Sequence, residues 1–314
     1  MRIALAIAPW SHADTYPPSQ GRSNIVSGKF GMLGGATPPL PLLYISSYVK
    51  QFGHQTCFVD GFFVKGDEWI DELLAFEPDL IGLWCTQFSW DRTKDFARRI
   101  KERADTDVEI LVGGTFITAY GGDALREPEA DGIDYLIVRE GEHATQELCE
   151  AIEGRREFGT IQGLVWRRDG EVVENEERPW FQDLDSLPFP DYDLLDISEY
   201  APAIGSFKCL PSVNMMTVRG CAGNCAFCHA ANSLRERSVD NVIEEIKLLQ
   251  GRYGIRHLLF FDETFTFYRE RVVEFCRRLL EEKIKISWTC NSRVDTIDED
   301  LLPLIKRAGC WRLQ

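Results

Sequence analysis

The chain has 314 residues, 44% of them apolar and 27% charged, the composition of a globular protein and a length that supports about two domains, each with its own core. A net charge of −15 argues against nucleic acid and anionic membranes as partners, because both demand basic patches. Met1 to Ala8 is apolar for too few residues to be a signal peptide, and no later run reaches spanning length, so a cytoplasmic protein without a membrane span is expected.

Arg2 to Ala8 reads as a short buried strand, followed by a long Pro-, Gly- and Ser-rich segment from Pro9 to Pro39. A loop of that length inside a domain is either functional or mobile. From Leu40 the pattern turns helical, with Leu42, Ile45 and Val49 on one face and Gly53 placed as a C-cap. Strands at Thr56 to Val59, Leu80 to Trp84, Glu109 to Val112 and Tyr135 to Val138 then alternate with helices at Glu68 to Phe76, Thr93 to Ala104 and Glu142 to Ile152. Such alternation predicts a flavodoxin-like, doubly wound parallel sheet over residues 1–155, binding ligands beyond the carboxyl ends of its strands. The candidate ligand loops are Pro9 onward, Asp60-Gly61, Cys85 to Ser89 with the hydroxyls of Thr86 and Ser89, and Gly113-Gly114-Thr115, where glycine admits a close approach. Each also fits an ordinary turn.

Ile161 to Arg178 alternates as a hairpin around Asp169-Gly170 and reads as a spacer, and Pro179 to Pro202 reads as an ordered, proline-rich linker. Residues 156–203 therefore separate two domains. In the second, over 204–314, the strand Val213 to Val218 leads into a cysteine loop. Ser238 is placed to cap a helix with an apolar stripe through Val242, Ile246 and Leu249. Leu258 to Phe261 is a strand with Asp262-Glu263 at its exit. The next helix is expected to bury Val272, Cys276, Leu279 and Leu280. Ile284 to Thr289 is a third strand, ending at Asn291-Ser292-Arg293. Asp298 caps a last helix, and Cys310 to Leu313 begins a fourth strand. Repeated β/α units place chemistry at the carboxyl ends of their strands. The cysteine loop, Asp262-Glu263 and Asn291/Arg293 all fall there, although capping of the following helix also accounts for Asp262 and Glu263.

Cys221-Ala222-Gly223-Asn224-Cys225-Ala226-Phe227-Cys228 puts three thiols within eight residues. A structural zinc ion wants four protein ligands, whereas three cysteines can hold a [4Fe-4S] cluster and leave its fourth iron open to a small molecule. Phe227 would shield one side. Gly220, Gly223 and Asn224 tolerate the positive φ that such wrapping needs. The competing readings are buried cysteines by chance, or a zinc site completed by Cys209 or His229. Cys57, Cys85, Cys149, Cys209, Cys276, Cys290 and Cys310 are expected to be core fillers, and ten cysteines with no regular disulfide spacing fit a reducing compartment.

C-x-x-x-C-x-x-C with an aromatic before the last cysteine resembles the radical S-adenosylmethionine superfamily. The order of the whole chain is similar to its cobalamin-binding group, through Pro38-Pro39-Leu40, Val59-Asp60-Gly61, Val112-Gly113-Gly114, Glu140-Gly141-Glu142 and Leu184 to Tyr192. The resemblance implies a cobalamin-binding domain ahead of a partial radical SAM barrel. It also implies a cluster on Cys221, Cys225 and Cys228, and S-adenosylmethionine bound near Asp262, Glu263, Asn291 and Arg293. The reaction implied is cleavage of S-adenosylmethionine to a 5′-deoxyadenosyl radical, for C-methylation, cyclisation or rearrangement of a small-molecule or natural-product substrate. A flavodoxin or ferredoxin would donate the electron. One departure is that no D-x-H-x-x-G follows the first strand; Ser11-His12-Ala13-Asp14 stands there instead, and His12 reads as a loop residue. The alternatives are a radical enzyme with a cobalamin-free first domain, and a non-catalytic iron-sulfur protein or inactive fragment. The chain stops inside the fourth predicted strand, so a truncated barrel is expected.

Overall fold

The computed structural model describes residues 1–9, 35–64, 67–226, 228 and 233–314. The loop expected to follow the first strand, with Ser11 and His12, lies outside these residues, as do Phe227 and His229. The chain divides into two compact units, one built mainly from residues 41–181 with the N-terminal strand, the other mainly from 195–314.

In the first unit, among the described residues, seven strands form one sheet in the order β2-β1-β3-β4-β5-β6-β7. Strands β1 (Arg2–Ile7), β2 (Gln55–Asp60), β3 (Leu80–Trp84), β4 (Glu109–Gly113) and β5 (Tyr135–Ile137) are mutually parallel. The order reverses at β1, which is the switch point of a flavodoxin-like sheet. Strands α-helically connected in this way are buried on both faces, and the side-chain alternation shows it. Ala4, Ala6, Ile81, Leu83, Ile110 and Val112 pack one core with Trp69 and Phe96, whereas Ile3, Leu5, Leu80 and Leu111 pack another with Leu42, Val49 and Leu148. The helices supplying the first core are Asp67–Ala75 and Trp90–Arg103; those supplying the second are Leu40–Lys50 and Glu142–Ile152.

The hairpin read as a spacer belongs to this sheet. β6 (Leu164–Arg168) pairs antiparallel with β5, and β7 (Glu171–Glu174) with β6. Alternation alone identifies a hairpin but not its neighbour, and here the free edge of β5 is the partner. Two short helices, Thr115–Tyr120 and Gly122–Arg126, were not predicted; each is too short to display a helical period.

The second unit contains a parallel sheet in the order β13-β12-β11-β8, from β8 (Ser212–Met215), β11 (His257–Phe260), β12 (Ser287–Cys290) and β13 (Cys310–Leu313). Its two faces differ in chemistry. Phe260, Phe265, Phe275 and Trp288 form an aromatic cluster with centroids 4.8–5.7 Å apart. The opposite face carries Ser212, His257 and Ser287 side by side in register. The helix Val239–Tyr253 starts at Ser238, the expected cap, whose hydroxyl accepts from Asn241 N at 3.1 Å; of the two glycines read as its end, Gly251 and Gly254, it runs through the first and stops on Gly254 at φ 65. Arg269–Glu281 buries Val272, Cys276 and Leu279, but Leu280 is exposed.

The predicted strand Val213 to Val218 is broken in two. After β8 the chain turns, and β9 (Val218–Arg219) pairs antiparallel with β10 (Arg235–Glu236) in a separate ribbon. Thr217 lies at the break, fully buried.

Candidate active site: a cysteine loop on a two-strand stem

The ribbon β9/β10 is the stem of the cysteine loop. Arg219 stands opposite Arg235, and Ser233 N donates to Cys221 O at 3.3 Å, so the excursion that carries the cysteines is closed at its base. Gly220 makes the closure: its φ is 76, and a Cβ there would fall 2.4 Å from Ser233 O. Beyond it, Cys221, Cys225 and Cys228 are half-buried free thiols. Cys228 N donates to Cys225 O at 3.0 Å, and Gly223 N donates to Cys221 Sγ at 3.3 Å. A Cβ on Gly223 would lie 3.3 Å from Cys221 Sγ and 4.0 Å from Cys225 Sγ, so the glycine leaves open a space that two of the sulfurs border.

Three cysteine thiols are the donor set with which a [4Fe-4S] cluster leaves one iron open. Among the described residues no three Cys, His, Asp or Glu side chains gather at the spacing of one metal ion. Thiolates of a cubane bind separate irons and stand farther apart. Cys209, considered as a zinc ligand, sits at the other end of the sheet, where its thiol lies 3.6 Å from Arg256 O and from Ser287 Oγ beside the amino ends of β11 and β12.

The loops after β11 and β12 meet this stem. Asp262 is 1% exposed. Its Oδ1 accepts from Thr217 N at 2.7 Å and Val218 N at 3.1 Å, its Oδ2 accepts from the Thr217 hydroxyl, and its backbone carbonyl accepts from Asn291 Nδ2 at 3.0 Å. Burial raises its carboxyl pKa, while the Thr217 and Val218 donors and the Arg271 guanidinium pull it down. Of the two carboxylates expected near a ligand, that of Asp262 is turned inward and taken up by protein donors, and Glu263 is the exposed one. Arg293 is exposed, its fork held by Asp295 at 2.9 and 2.7 Å, and it reaches Cys225. Hydrogen bonding to Asp295 is the main cause of its raised pKa.

Thr217 and Arg271 were missed in the sequence. Arg271 Nη1 donates to Thr217 Oγ1 at 3.2 Å, and Nη2 donates to Thr217 O and Arg237 O, both at 3.1 Å. Only its place beside Val272, on the inward stripe of its helix, could have flagged it.

In the first unit the four candidate ligand residues lie at the carboxyl ends of β3 and β4. Ser89 Oγ accepts from Thr86 N at 2.9 Å and lies 3.5 Å from Thr86 Oγ1, so these hydroxyls shape their own turn. Gly114 has φ 121, and a Cβ there would fall 2.2 Å from Cys85 O; packing on β3 demands glycine at this position. Gly113 differs, since a Cβ on it would meet only Ile137 O, at 3.9 Å.

A doubly wound sheet, and a separate parallel β/α sheet bearing three free thiols in the loop after its first strand, make a modular α/β chain with a candidate cofactor loop. Family models agree on both parts: the B12 binding domain matches residues 30–149, and the radical SAM superfamily matches residues 215–314. The chain belongs to the radical S-adenosylmethionine enzymes that carry a B12-binding domain. It is 32% identical over 302 residues to an uncharacterized methyltransferase of Pyrococcus horikoshii, PH0819, covering 94% of this chain and 62% of that protein. It is 28% identical over 294 residues to the anaerobic magnesium-protoporphyrin IX monomethyl ester cyclase of Rubrivivax gelatinosus, covering 88% of this chain and 51% of the cyclase. The chain thus spans about half to three-fifths of the length of these relatives. Its fold is shared with the cobalamin-dependent S-adenosylmethionine radical enzyme OxsB, solved with aqua-cobalamin and S-adenosylmethionine bound (TM-score 0.76, 20% identity, 99% of this chain and 43% of that one). It is shared too with the radical S-adenosylmethionine methyltransferase TsrM of Kitasatospora setae (TM-score 0.71, 16% identity, 99% and 58%). The two domains imply a [4Fe-4S] cluster, S-adenosylmethionine and cobalamin as cofactors. Among the described residues no helix is long and apolar enough to cross a membrane.

Proposed function

We propose that this protein cleaves S-adenosylmethionine reductively at a cluster held by Cys221, Cys225 and Cys228, and directs the product radical to C-methylation or to cyclisation or rearrangement of a small organic molecule. When bound, the cluster supplies the electron for cleavage and cobalamin supplies a methyl carrier. The observation that carries this reading is the stem-closed loop of three free, half-buried thiols, with the space at Gly223 bordered by two of their sulfurs.

The chain's own residues take the binding roles. Glu263, exposed at the exit of β11, is suited to the methionyl ammonium. Arg293, oriented by Asp295, is suited to the carboxylate, which a guanidinium fork can grip in two places. Asn291 spends its Nδ2 on Asp262 O, which leaves its carbonyl oxygen to accept from a ribose hydroxyl. Gly113, where an added Cβ would meet only Ile137 O at 3.9 Å, and half-exposed Thr86 are the residues suited to approach cobalamin. Phe227, next to Cys228 in the sequence, is suited to shield one side of the cluster. A flavodoxin or ferredoxin is the fitting electron donor, and the charge of −15 argues against nucleic acid as a partner. Ten free cysteines fit a cytoplasmic setting.

The test is anaerobic reconstitution followed by iron, sulfide and cobalt analysis and an assay for 5′-deoxyadenosine with S-adenosylmethionine and a reductant. About four irons per chain and deoxyadenosine release are expected. A chain that binds zinc in place of iron, or an intact cluster that releases no deoxyadenosine, overturns the reading. An intact cluster without retained cobalt overturns the cobalamin part alone.

A further inference from the structure

One buried charge and one half-buried charge straddle the stem of the cysteine loop. Asp262, from the end of β11, takes the amides of Thr217 and Val218 on the outgoing strand. Arg271, from the helix Arg269–Glu281, holds Thr217 O on that strand and Arg237 O on the returning one, and its Nε lies 3.5 Å from Glu236 Oε1. The Thr217 hydroxyl joins them, donating to Asp262 Oδ2 and accepting from Arg271 Nη1. Arg237 N also donates to Thr217 O at 3.0 Å. Neither charged side chain reaches the cysteines. Each is instead anchored on the parallel sheet or its helix and grips the ribbon.

We propose that Asp262 and Arg271 are a positioning pair that clamps both strands of the cysteine stem onto the sheet, and so holds the loop open in the shape that receives the cluster. The clamp also links the two sides of the rim, because the Asp262 carbonyl anchors Asn291. Both partners act through Thr217, whose hydroxyl bonds each of them, so losing either one loosens the same joint and the two act as a unit. A two-strand ribbon is marginal on its own, which is why its attachment matters for the loop it carries. The proposal rests on the cluster reading for its purpose, but not for its geometry.

The test separates the two. In the metal-free chain, Asp262→Asn and Arg271→Met should each speed hydrogen exchange at the amides of Val218 and Arg237 about tenfold or more, while the amides of β11 keep their wild-type protection. After anaerobic reconstitution both variants should retain less than half the wild-type iron, with an altered line shape in the reduced-cluster electron paramagnetic resonance spectrum. The double variant should be no worse than the poorer single one. Arg271→Lys should not restore the stem, because a single ammonium cannot span the Thr217 hydroxyl, the two carbonyls and Glu236 as the three nitrogens of the fork do. Should Asp262→Asn fail to fold, Thr217→Val reads the same joint, with Thr217→Ser as the rescue. Unchanged exchange at the stem, or an equal loss of protection across the whole sheet, overturns the clamp. Wild-type exchange as expected but no iron bound by the wild-type chain overturns the cluster reading and leaves the clamp a fold element.

Discussion

Asp295 holds Arg293 by both arms of its guanidinium, from Nε at 2.9 Å and from Nη2 at 2.7 Å, and the same side chain reaches Cys225. The loop after β12 thus presents its charge to the cysteine loop. Arg293→Gln should weaken S-adenosylmethionine binding about tenfold or more, since a charge-assisted, two-point contact is lost. Asp295→Asn should cost less, within about fivefold, because an exposed ion pair contributes little. Titrating S-adenosylmethionine against the cluster's resonance signal measures both.

Cys225→Ala should abolish stable cluster binding, since two thiolates are too few. Cys209→Ser should retain full iron, because that thiol faces Arg256 O and Ser287 Oγ at the amino ends of the strands. Iron and sulfide per chain check both, and loss of iron in the Cys209 variant would reassign the ligands.

Gly114→Ala should destabilise the first unit by about 1–3 kcal/mol, as its Cβ would fall 2.2 Å from Cys85 O at φ 121. Gly113→Ala, with only Ile137 O at 3.9 Å, should leave stability near wild type and reveal any ligand role through cobalamin binding instead. Denaturant unfolding and cobalt retention separate the two effects.

His257 is fully buried, its Nδ1 2.8 Å from Ser287 Oγ, and burial depresses its pKa from 6.5 to about 4. Between those values the unfolded chain binds the extra proton, so stability rises with pH across that window and falls as pH drops through it. Replacing His257 with Gln should flatten this part of the stability–pH curve relative to wild type. An unchanged slope would show that His257 does not titrate there.

Much of the architecture was legible because it depends on period and punctuation. The five parallel strands of the first unit, the Ser238 cap and the Gly254 stop all follow from local chemistry. What the residues could not declare was direction. Asp262 and Glu263 are adjacent carboxylates after a strand, and nothing in their identity says that the first turns inward to Thr217 while the second faces solvent. Thr217 and Arg271 went unnoticed because their partners are 45 and 54 positions distant from Thr217. The break before Val218 was hidden because Val213 to Val218 reads as one strand with no glycine or proline in it, and the split depends on the pairing of Val218–Arg219 with Arg235–Glu236. Ser89 and Gly114 illustrate the converse: residues suited to a ligand loop were equally suited to a turn and to a close backbone crossing.

The antiparallel pairing of β6 on β5 bears on how the first unit can be excised. A cut near residue 155 would strip β6 and β7 away and bare the hydrogen-bonding rim of β5, a template for intermolecular strand addition. Such a fragment should oligomerise. A piece carried through residue 194 keeps that rim covered and also retains Asp191, which accepts from Ser46 Oγ at 2.7 Å and pairs with Lys50.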